Sequence, residues 1–262
     1  MIEITHWLTR LPEAVTFAVV VLGLVSAVVL APRLLRRPVS RLGMEGQAGS
    51  IVDAYKAVIG FLGLVLAFSL VQAQTNYRAG EDLVVKEANA IGNVDRGLAR
   101  FGDPKMSSLR PALLDYAKSI VSEEWRIMAS GERSARVETL YGQVSRPART
   151  VDAANPRQQA IFNEILRGLD DVADLRESRL SAATTGLPGL FWNVVAALFV
   201  LLIILSALVA PTLDRAVMMG GMVAGLGLVL ALVIIVDLPF DGDVAVQPRA
   251  INRIMVAMTN RS

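Results

Sequence analysis

Apolar residues are concentrated in four windows of the chain, and the stretches between these windows are polar and charged. At a rise of 1.5 Å per residue, about 20 helical residues cover the roughly 30 Å hydrocarbon core of a bilayer. The pattern therefore predicts four transmembrane helices, at about 14–31, 51–71, 187–210 and 216–236. An apolar share of 53% over 262 residues exceeds that of a typical soluble chain and agrees with this interpretation.

The first window has one competing interpretation, a cleaved signal peptide. The tail before it carries Glu3 and Glu13 beside Arg10, and no small-residue cleavage site follows it. We therefore expect a retained membrane anchor.

The fourth window carries a small-residue motif. The segment 211–215 joins it to the third window and is short enough to predict a tight hairpin. Gly221 and Gly225 form a GxxxG pair, which lets another helix approach closely. The approaching helix is either one of the same chain or one of a second subunit, and the sequence leaves both open.

The segment between the second and third windows has the periodicity of water-exposed helices. Neither Gly nor Pro occurs between Gly63 and Gly80, so we expect the second span to continue as one helix to about Arg100. Asn155-Pro156 predicts the start of a later helix, since Asn caps and Pro suits the first position. We predict an all-α membrane protein with four regions: an N-terminal transmembrane hairpin (1–73), a helical extramembrane domain (74–186), a C-terminal transmembrane hairpin (187–240) and a tail (241–262).

Composition excludes several classes of function. The net charge is only +2 and no block of like charges occurs, which argues against nucleic acid as a partner. Cysteine is absent and His6 is the only histidine, which disfavours zinc sites and histidine-based triads. No nucleotide-binding or hydrolase motif is present. We predict no enzyme activity, no catalytic residues, no cofactor and no metal.

Acidic residues near the spans have two interpretations each. Asp53 and Lys56 lie one turn apart, and a pair at the headgroup boundary is favoured over an ion site in the membrane. Asp237, Asp241 and Asp243 follow the fourth window, where three carboxylates suit a hard cation. A turn stabilised by Asp237 is favoured over that metal site.

The arginines of the loop after the first window bear on orientation. Arg33, Arg36, Arg37 and Arg41 place this loop in the cytoplasm by the positive-inside rule, with both termini and the helical domain outside. The C-terminal tail also carries arginines, so the side of the helical domain stays undecided.

The second window has one face suited to lining a pore. Phe61, Val65, Phe68 and Gln72 follow at intervals of four, three and four and so share a helix face. Four helices of one chain fill their own interior, so a pore must lie on an oligomer axis. A ring of phenylalanines there would gate by dewetting. The alternative is that these side chains face lipid or the core.

The neighbouring face of the same window carries small residues at Gly60, Gly63 and Ala67. Small side chains let a second helix pack tightly, as a helix wedged between subunits requires.

A set of local patterns occurs in order around the four windows. The pieces are Glu87-Ala-Asn89, Tyr116, Glu124-Trp125, Arg176, Arg179, Pro188, Trp192 and Asp237-Leu-Pro-Phe-Asp-Gly242. In this order and spacing, from about residue 50 to residue 250, the chain resembles the bestrophin-like domain family of bacterial membrane proteins.

The resemblance implies a fold, a location and a function. The family is distantly similar to bestrophins, which are pentameric anion channels with a pore-lining second membrane helix and a helical domain between two hairpins. It thus implies a homopentamer in the bacterial inner membrane, passing small ions passively, with an anion as one option. Asn76-Tyr77 falls where bestrophins carry polar and aromatic residues, but their Arg-Trp-Trp run is missing here. Bestrophins keep the central domain cytosolic, opposite to the orientation that the arginine-rich loop favours.

Two functions remain in competition. The first is an oligomeric ion channel of the bestrophin-like kind. The second is a non-conducting membrane scaffold or sensor whose helical domain binds a partner. A transporter is disfavoured, because the spans carry no charge at mid-depth and no paired breaks.

Overall fold

The computed structural model describes residues 12–34, 48–209 and 212–261 of the chain. Within these ranges the chain forms helices and turns without a strand, which confirms the predicted all-α class. Several residues that entered the sequence predictions lie outside the described ranges: His6, Arg36, Arg37, Arg41 and Pro211.

Nine α-helices follow one another in the described chain. They are α1 (Glu13–Leu34), α2 (Ala48–Arg100), α3 (Pro104–Ser107), α4 (Arg110–Ser119), α5 (Ala135–Ala148), α6 (Pro156–Thr184), α7 (Gly189–Ala207), α8 (Leu213–Asp237) and α9 (Arg249–Thr259). After α4 the chain continues in a π-helical turn (Ile120–Glu124), a single α-turn (Trp125–Ile127) and a 3-10 turn (Met128–Ser130).

Four helical stretches of the described chain are long and apolar enough to cross a membrane. They lie in α1, the first part of α2, α7 and α8, which are the four predicted windows. The chain is therefore a multi-pass membrane protein.

Helix α2 runs for 53 residues without a break and ends at Arg100, as the absence of Gly and Pro predicted. Gly102 then adopts a φ of 84°, a left-handed conformation that glycine reaches without strain. The Asp103 side chain accepts a hydrogen bond from the Lys105 N–H at 2.7 Å and so starts α3.

Helix α6 begins where the Asn155-Pro156 pair predicted. The Asn155 side chain accepts a hydrogen bond from the Gln158 N–H at 2.9 Å, and Pro156 occupies the first helical position. The apolar face of this helix is buried in its central part, at Ile165, Leu169 and Val172.

The chain divides into two compact units. The first, here called the membrane unit, comprises Met1–Asn76 and Gly186–Ala245, and the second, the helical unit, comprises Tyr77–Thr185 and Val246–Ser262. The helical unit contains α9, an amphipathic helix within the tail for which the sequence analysis predicted no structure. Its Ile251 and Met258 side chains are buried in that unit.

The core of the membrane unit is built from side chains of α1, α2, α7 and α8. Leu62 and Leu66 of α2 are fully buried, as is Leu202 of α7. Glycine allows the closest approach between α1 and α8, because a Cβ on Gly227 would lie 3.4 Å from the Val21 Cα.

The core of the helical unit is built around the distal part of α2. Ile91 and Leu98 of that helix are fully buried. Helix α6 approaches it closely, because a Cβ on Gly168 would lie 2.9 Å from Val94 Cγ2, and a Cβ on Gly97 would lie 2.7 Å from Ile165 Cγ1. This close packing sets α6 side chains beside those of α2, which positions the charged cluster described below.

Candidate functional site

The predicted pore face of α2 is largely uncovered within one chain. Phe61 is 55% exposed and Phe68 is 68% exposed, while Leu62 and Leu66 on the opposite face are fully buried. Gln72 is exposed and Val65 is half-buried at the edge of the same face. Two phenylalanines thus lie outside the packing of their own chain.

The predicted pore face changes from apolar to polar at Gln72. The Gln72 Nε2 donates a hydrogen bond to the Asn76 Oδ1 at 2.9 Å, one turn further along. Next to this pair, the Thr75 hydroxyl donates to the Val71 carbonyl at 2.8 Å. The face therefore consists of an apolar phenylalanine segment followed by amide and hydroxyl side chains.

The small residues predicted for helix packing separate into two groups. A Cβ on Gly63 would lie 3.6 Å from Leu226 Cδ2, so Gly63 faces α8 of its own chain. Gly60, Gly221 and Gly225 have nothing within 4 Å of a Cβ position. Ala67 is exposed. Their packing against another subunit stays a prediction.

A cluster of four charged side chains is buried in the helical unit. Arg179 of α6 is fully buried and donates through Nε to the Glu87 Oε2 at 2.6 Å, and through NH2 to the Glu87 Oε1 at 3.1 Å and the Glu124 Oε2 at 2.9 Å. Its guanidinium also lies 5.3 Å from the centre of the Trp125 ring. Arg179 thus connects α2, the π-helical turn and α6.

Arg176 completes this charge cluster, which we define as Glu87, Glu124, Arg176 and Arg179. The Arg176 NH2 donates to the Glu124 Oε1 at 2.6 Å, and its Nε donates to the Glu124 Oε2 at 3.1 Å. Two carboxylates therefore face two guanidinium groups, and the cluster is neutral overall. Balanced charge is a condition for keeping four such groups out of water.

Electrostatics within the charge cluster favour the ionised forms of Glu124, Arg176 and Arg179. Burial alone would raise the pKa of Glu124, but hydrogen bonds and positive charge from Arg176 and Arg179 outweigh it and lower that pKa below its ordinary value. Burial alone would lower the pKa of Arg179, but the two glutamates outweigh it and raise that pKa. The salt bridges therefore persist over the whole neutral range.

Tyr116 of α4 lies beside the charge cluster and is fully buried. Its ring meets that of Tyr141 with 5.8 Å between the ring centres. Burial, and then the negative charge of Glu87, raises the pKa of the Tyr116 hydroxyl well above its ordinary value. Among the described residues, that hydroxyl has no hydrogen-bond partner.

Asp237, at the end of α8, ties together two segments of the membrane unit. Its Oδ1 accepts a hydrogen bond from the Leu187 N–H at 2.7 Å, just before α7 begins. A Cβ on Gly186 would lie 2.8 Å from the Asp237 Oδ2, so the contact requires glycine there. Asp237 thus stabilises the entry to α7.

The remaining acidic residues near the spans contact residues close to them in the sequence. The Asp241 side chain accepts a hydrogen bond from the Gly242 N–H at 3.0 Å. Lys56 and Asp53 pair at 3.3 Å, one of the two alternatives for these residues. In the described part of the chain, no three His, Asp or Glu side chains lie close enough together to hold a metal ion.

Comparison with protein-family models identifies the family of this chain. The model of the bestrophin-like domain matches residues 18–251, which is most of the chain. The chain belongs to the bestrophin-like family. None of the curated proteins compared with the chain matches it.

Six residues of the bestrophin-like pattern recognised in the sequence lie close together in the helical unit. Glu87, Tyr116, Glu124, Trp125, Arg176 and Arg179 all lie in or beside the charge cluster. Within the membrane unit, Asp237 accepts a hydrogen bond from the Leu187 N–H, just before Pro188. Four of these residues, Glu87, Glu124, Arg176 and Arg179, are joined by salt bridges.

The charge cluster was not predicted as a site. The residues of its two longest-range bonds are 92 and 55 positions apart, so no local spacing points to their contact. One signal was available in the sequence: the residues one turn away from Glu87 on either side are all apolar.

Proposed function

We propose that this bestrophin-like protein assembles into an oligomeric ion channel, with Phe61, Val65, Phe68 and Gln72 of α2 lining the pore. The observation that carries the proposal is the uncovered α2 face, whose two phenylalanines are more than half exposed in one chain. Family membership adds the expectation of a channel-related architecture.

The chemistry along this α2 face suits a gated neck. Phe61 and Phe68 are about two turns apart, so copies around an axis would give two stacked aromatic rings. A narrow apolar ring opposes ion passage because water leaves it readily. Gln72 and Asn76 then supply amide groups that solvate an ion where the neck widens. No charged residue lies between Phe61 and Asn76, so the neck itself imposes no charge selectivity.

Lipid is the other occupant that an exposed apolar face accepts. Phenylalanine rings facing acyl chains need no protein partner, and the chain would then be the scaffold or sensor considered above. The two functions differ in whether water reaches the α2 face, which a chemical probe can measure.

The first experiment measures ion flux through the purified full chain in liposomes, with the oligomer mass determined on the same preparation. Channel function predicts chloride or potassium flux from a defined oligomer. Replacing both phenylalanines (Phe61→Ala with Phe68→Ala) should raise the flux severalfold, because the apolar ring becomes wider and wetter. Leu228→Ala on α8 is the control, since Leu228 is similarly exposed at 51%. Flux unchanged by the phenylalanine substitutions would exclude this lining.

A second experiment uses the absence of cysteine from the chain. Gln72→Cys introduces a single thiol, which a water-soluble, charged thiol reagent should modify and thereby block the flux. Leu228→Cys is the matched control, and in lipid it should not react. A Gln72→Cys protein that stays unmodified in a folded oligomer would favour the scaffold.

A further inference from the structure

A cleft opens between α1, α7 and α8 of the membrane unit, at the C-terminal ends of α1 and α7 and the N-terminal end of α8. Its walls are mainly apolar, and two arginines, a serine and a threonine complete the lining. The apolar residues that the argument uses are Val28, Val29, Val209 and Met219. The enclosed space amounts to about 20 Å³, too little to enclose a whole small molecule, so a ligand would lie along the surface of the cleft.

Arg33 and Arg215 line this cleft from two different helices. Neither guanidinium makes a hydrogen bond or an ion pair with any residue of the described ranges, whereas eight of the sixteen arginines of the helical unit form salt bridges. Asp214 adjoins Arg215 in the chain but does not line the cleft. Two positive charges thus converge on one apolar cleft, and no acidic side chain of the described ranges lines it.

The backbone at this place adds partial positive charge. Helix α8 has 25 residues, and no side chain caps its first turn at Thr212. Its first N–H groups therefore point out of the helix end, where they favour an anion. Arg215 lies in this first turn, so the helix end and the guanidinium act on the same region.

The position of the cleft selects the kind of anion. The apolar part of α1 ends at Leu34 and that of α8 begins at Leu213, which puts the arginines at the boundary between hydrocarbon and water. Lipid phosphates lie at this level, and basic pockets between transmembrane helices bind anionic headgroups. A soluble anion would not use the valine walls.

We propose that this cleft binds an anionic phospholipid, with the headgroup phosphate held by Arg33 and Arg215 and one acyl chain along Val28, Val29 and Val209. The proposal is independent of ion conduction, because lipid binding is measured directly.

The test titrates the full chain in neutral detergent with phosphatidylglycerol, and separately with phosphatidylcholine of the same acyl chains. Native mass spectrometry counts the lipid bound. The unmodified chain should prefer phosphatidylglycerol, and Arg33→Gln with Arg215→Gln should weaken its binding roughly tenfold or more, given the contribution of each basic residue at a lipid surface. Arg157→Gln with Arg253→Gln removes the same charge from exposed positions of the helical unit and should change nothing.

A second variant separates charge from folding. Arg33→Lys with Arg215→Lys keeps both charges and should retain most of the preference for phosphatidylglycerol. The proposal fails if the glutamine variant keeps the full preference, which would mean that the bound lipid is annular. It also fails if inorganic phosphate alone displaces the lipid at equal concentration, which would indicate a site for a soluble anion.

Discussion

In the helical unit, Glu87, Glu124, Arg176 and Arg179 bind one another at full or nearly full burial. In the membrane unit, Phe61 and Phe68 of α2 are more than half exposed. A charged group must find its partner inside its own fold, because burying it alone costs several kcal/mol. An apolar side chain in a bilayer has no such requirement, since lipid tails are as apolar as the side chain itself. The first region is therefore complete within one chain, and the second is open to lipid or to other subunits.

The same difference exists within the membrane unit. In the most apolar 18-residue window of α8, 44% of the residues are buried inside the chain, whereas the corresponding share in α2 is 22%. Helix α8 thus holds the unit together. Helix α2 leaves most of its apolar window exposed, so this surface is open to lipid or to another subunit.

The largest effect should follow removal of Arg179. Arg179→Met leaves Glu87 and Glu124 buried with reduced compensation, and we expect it to lower the free energy of unfolding by about 3–5 kcal/mol. Denaturant unfolding in detergent, followed by tryptophan fluorescence, would measure the change.

Arg133→Gln is the control for this charge-cluster variant. Arg133 forms two hydrogen bonds of 2.6 Å with Glu177, but both side chains are more than half exposed. Exposed ion pairs contribute little to folding stability, so this variant should unfold almost as the parent does. Equal losses for the two variants would mean that burial does not distinguish the two pairs.

The next effect concerns α8 and compares two glycines two positions apart. Gly227→Leu should lower the free energy of unfolding by about 1–3 kcal/mol, because its side chain would run into Val21 and Leu24 of α1, already 3.4–3.5 Å from a Cβ. Gly225→Leu should leave the unfolding of one chain unchanged, since nothing lies within 4 Å.

Measuring the oligomer mass of the two glycine variants extends this comparison to contacts between subunits. If Gly225 is a contact between subunits, Gly225→Leu should reduce the assembled fraction while the chain stays folded. A variant that lowers folding stability as much as Gly227→Leu would place Gly225 in the core of the chain instead.

A smaller effect should appear on acidification. The pKa of Glu124 is lower in the folded chain than its ordinary value of 4.5, so the unfolded chain takes up the proton first as the pH falls. The contribution of Glu124 to stability is therefore fully present above about pH 4.5 and is lost progressively as the pH falls below that value toward the folded pKa. Unfolding measured between pH 7 and pH 3 should show this decline.

Glu124→Gln is the matched variant for the pH experiment. It has no carboxyl at this position, so its stability, lower from the start, should decline less steeply below pH 4.5. Parallel pH profiles for the parent and the variant would assign the acid sensitivity to other carboxyls.

The helices were predictable from sequence because they depend on local patterns. Apolar windows predicted the four spans, and Asn155-Pro156 predicted the start of α6. The lack of Gly and Pro between Gly63 and Gly80 predicted that α2 continues beyond its membrane span. Helix α9 was not predicted, although Ile251, Ile254 and Met258 repeat at three- and four-residue intervals that favour an amphipathic helix.

The contacts between distant residues were not predictable from spacing. The GxxxG pattern favoured Gly221 and Gly225, whereas the contacts with α1 fall on Gly220 and Gly227, seven residues apart on one face. The charge cluster likewise joins α2, the turn after α4, and α6, and only the packing of those helices brings its members together. The α2 pore face stays a prediction, because its partner is not part of one chain.

The smallest effect should separate two tyrosines beside the charge cluster. The Tyr141 hydroxyl donates to the Leu169 carbonyl at 2.8 Å, and Tyr141→Phe should cost about 1 kcal/mol of unfolding free energy. The Tyr116 hydroxyl has no hydrogen-bond partner among the described residues, so Tyr116→Phe removes no bond between protein groups. Its unfolding free energy should stay within about 0.5 kcal/mol of the parent.

The two rings are in contact and lose the same atom, so the pair isolates the hydrogen bond from the packing. Denaturant unfolding of both variants, measured side by side, gives the difference directly. A larger loss for Tyr116→Phe than for Tyr141→Phe would show that the Tyr116 hydroxyl takes part in the charge cluster. The charge cluster would then be a polar network of five side chains.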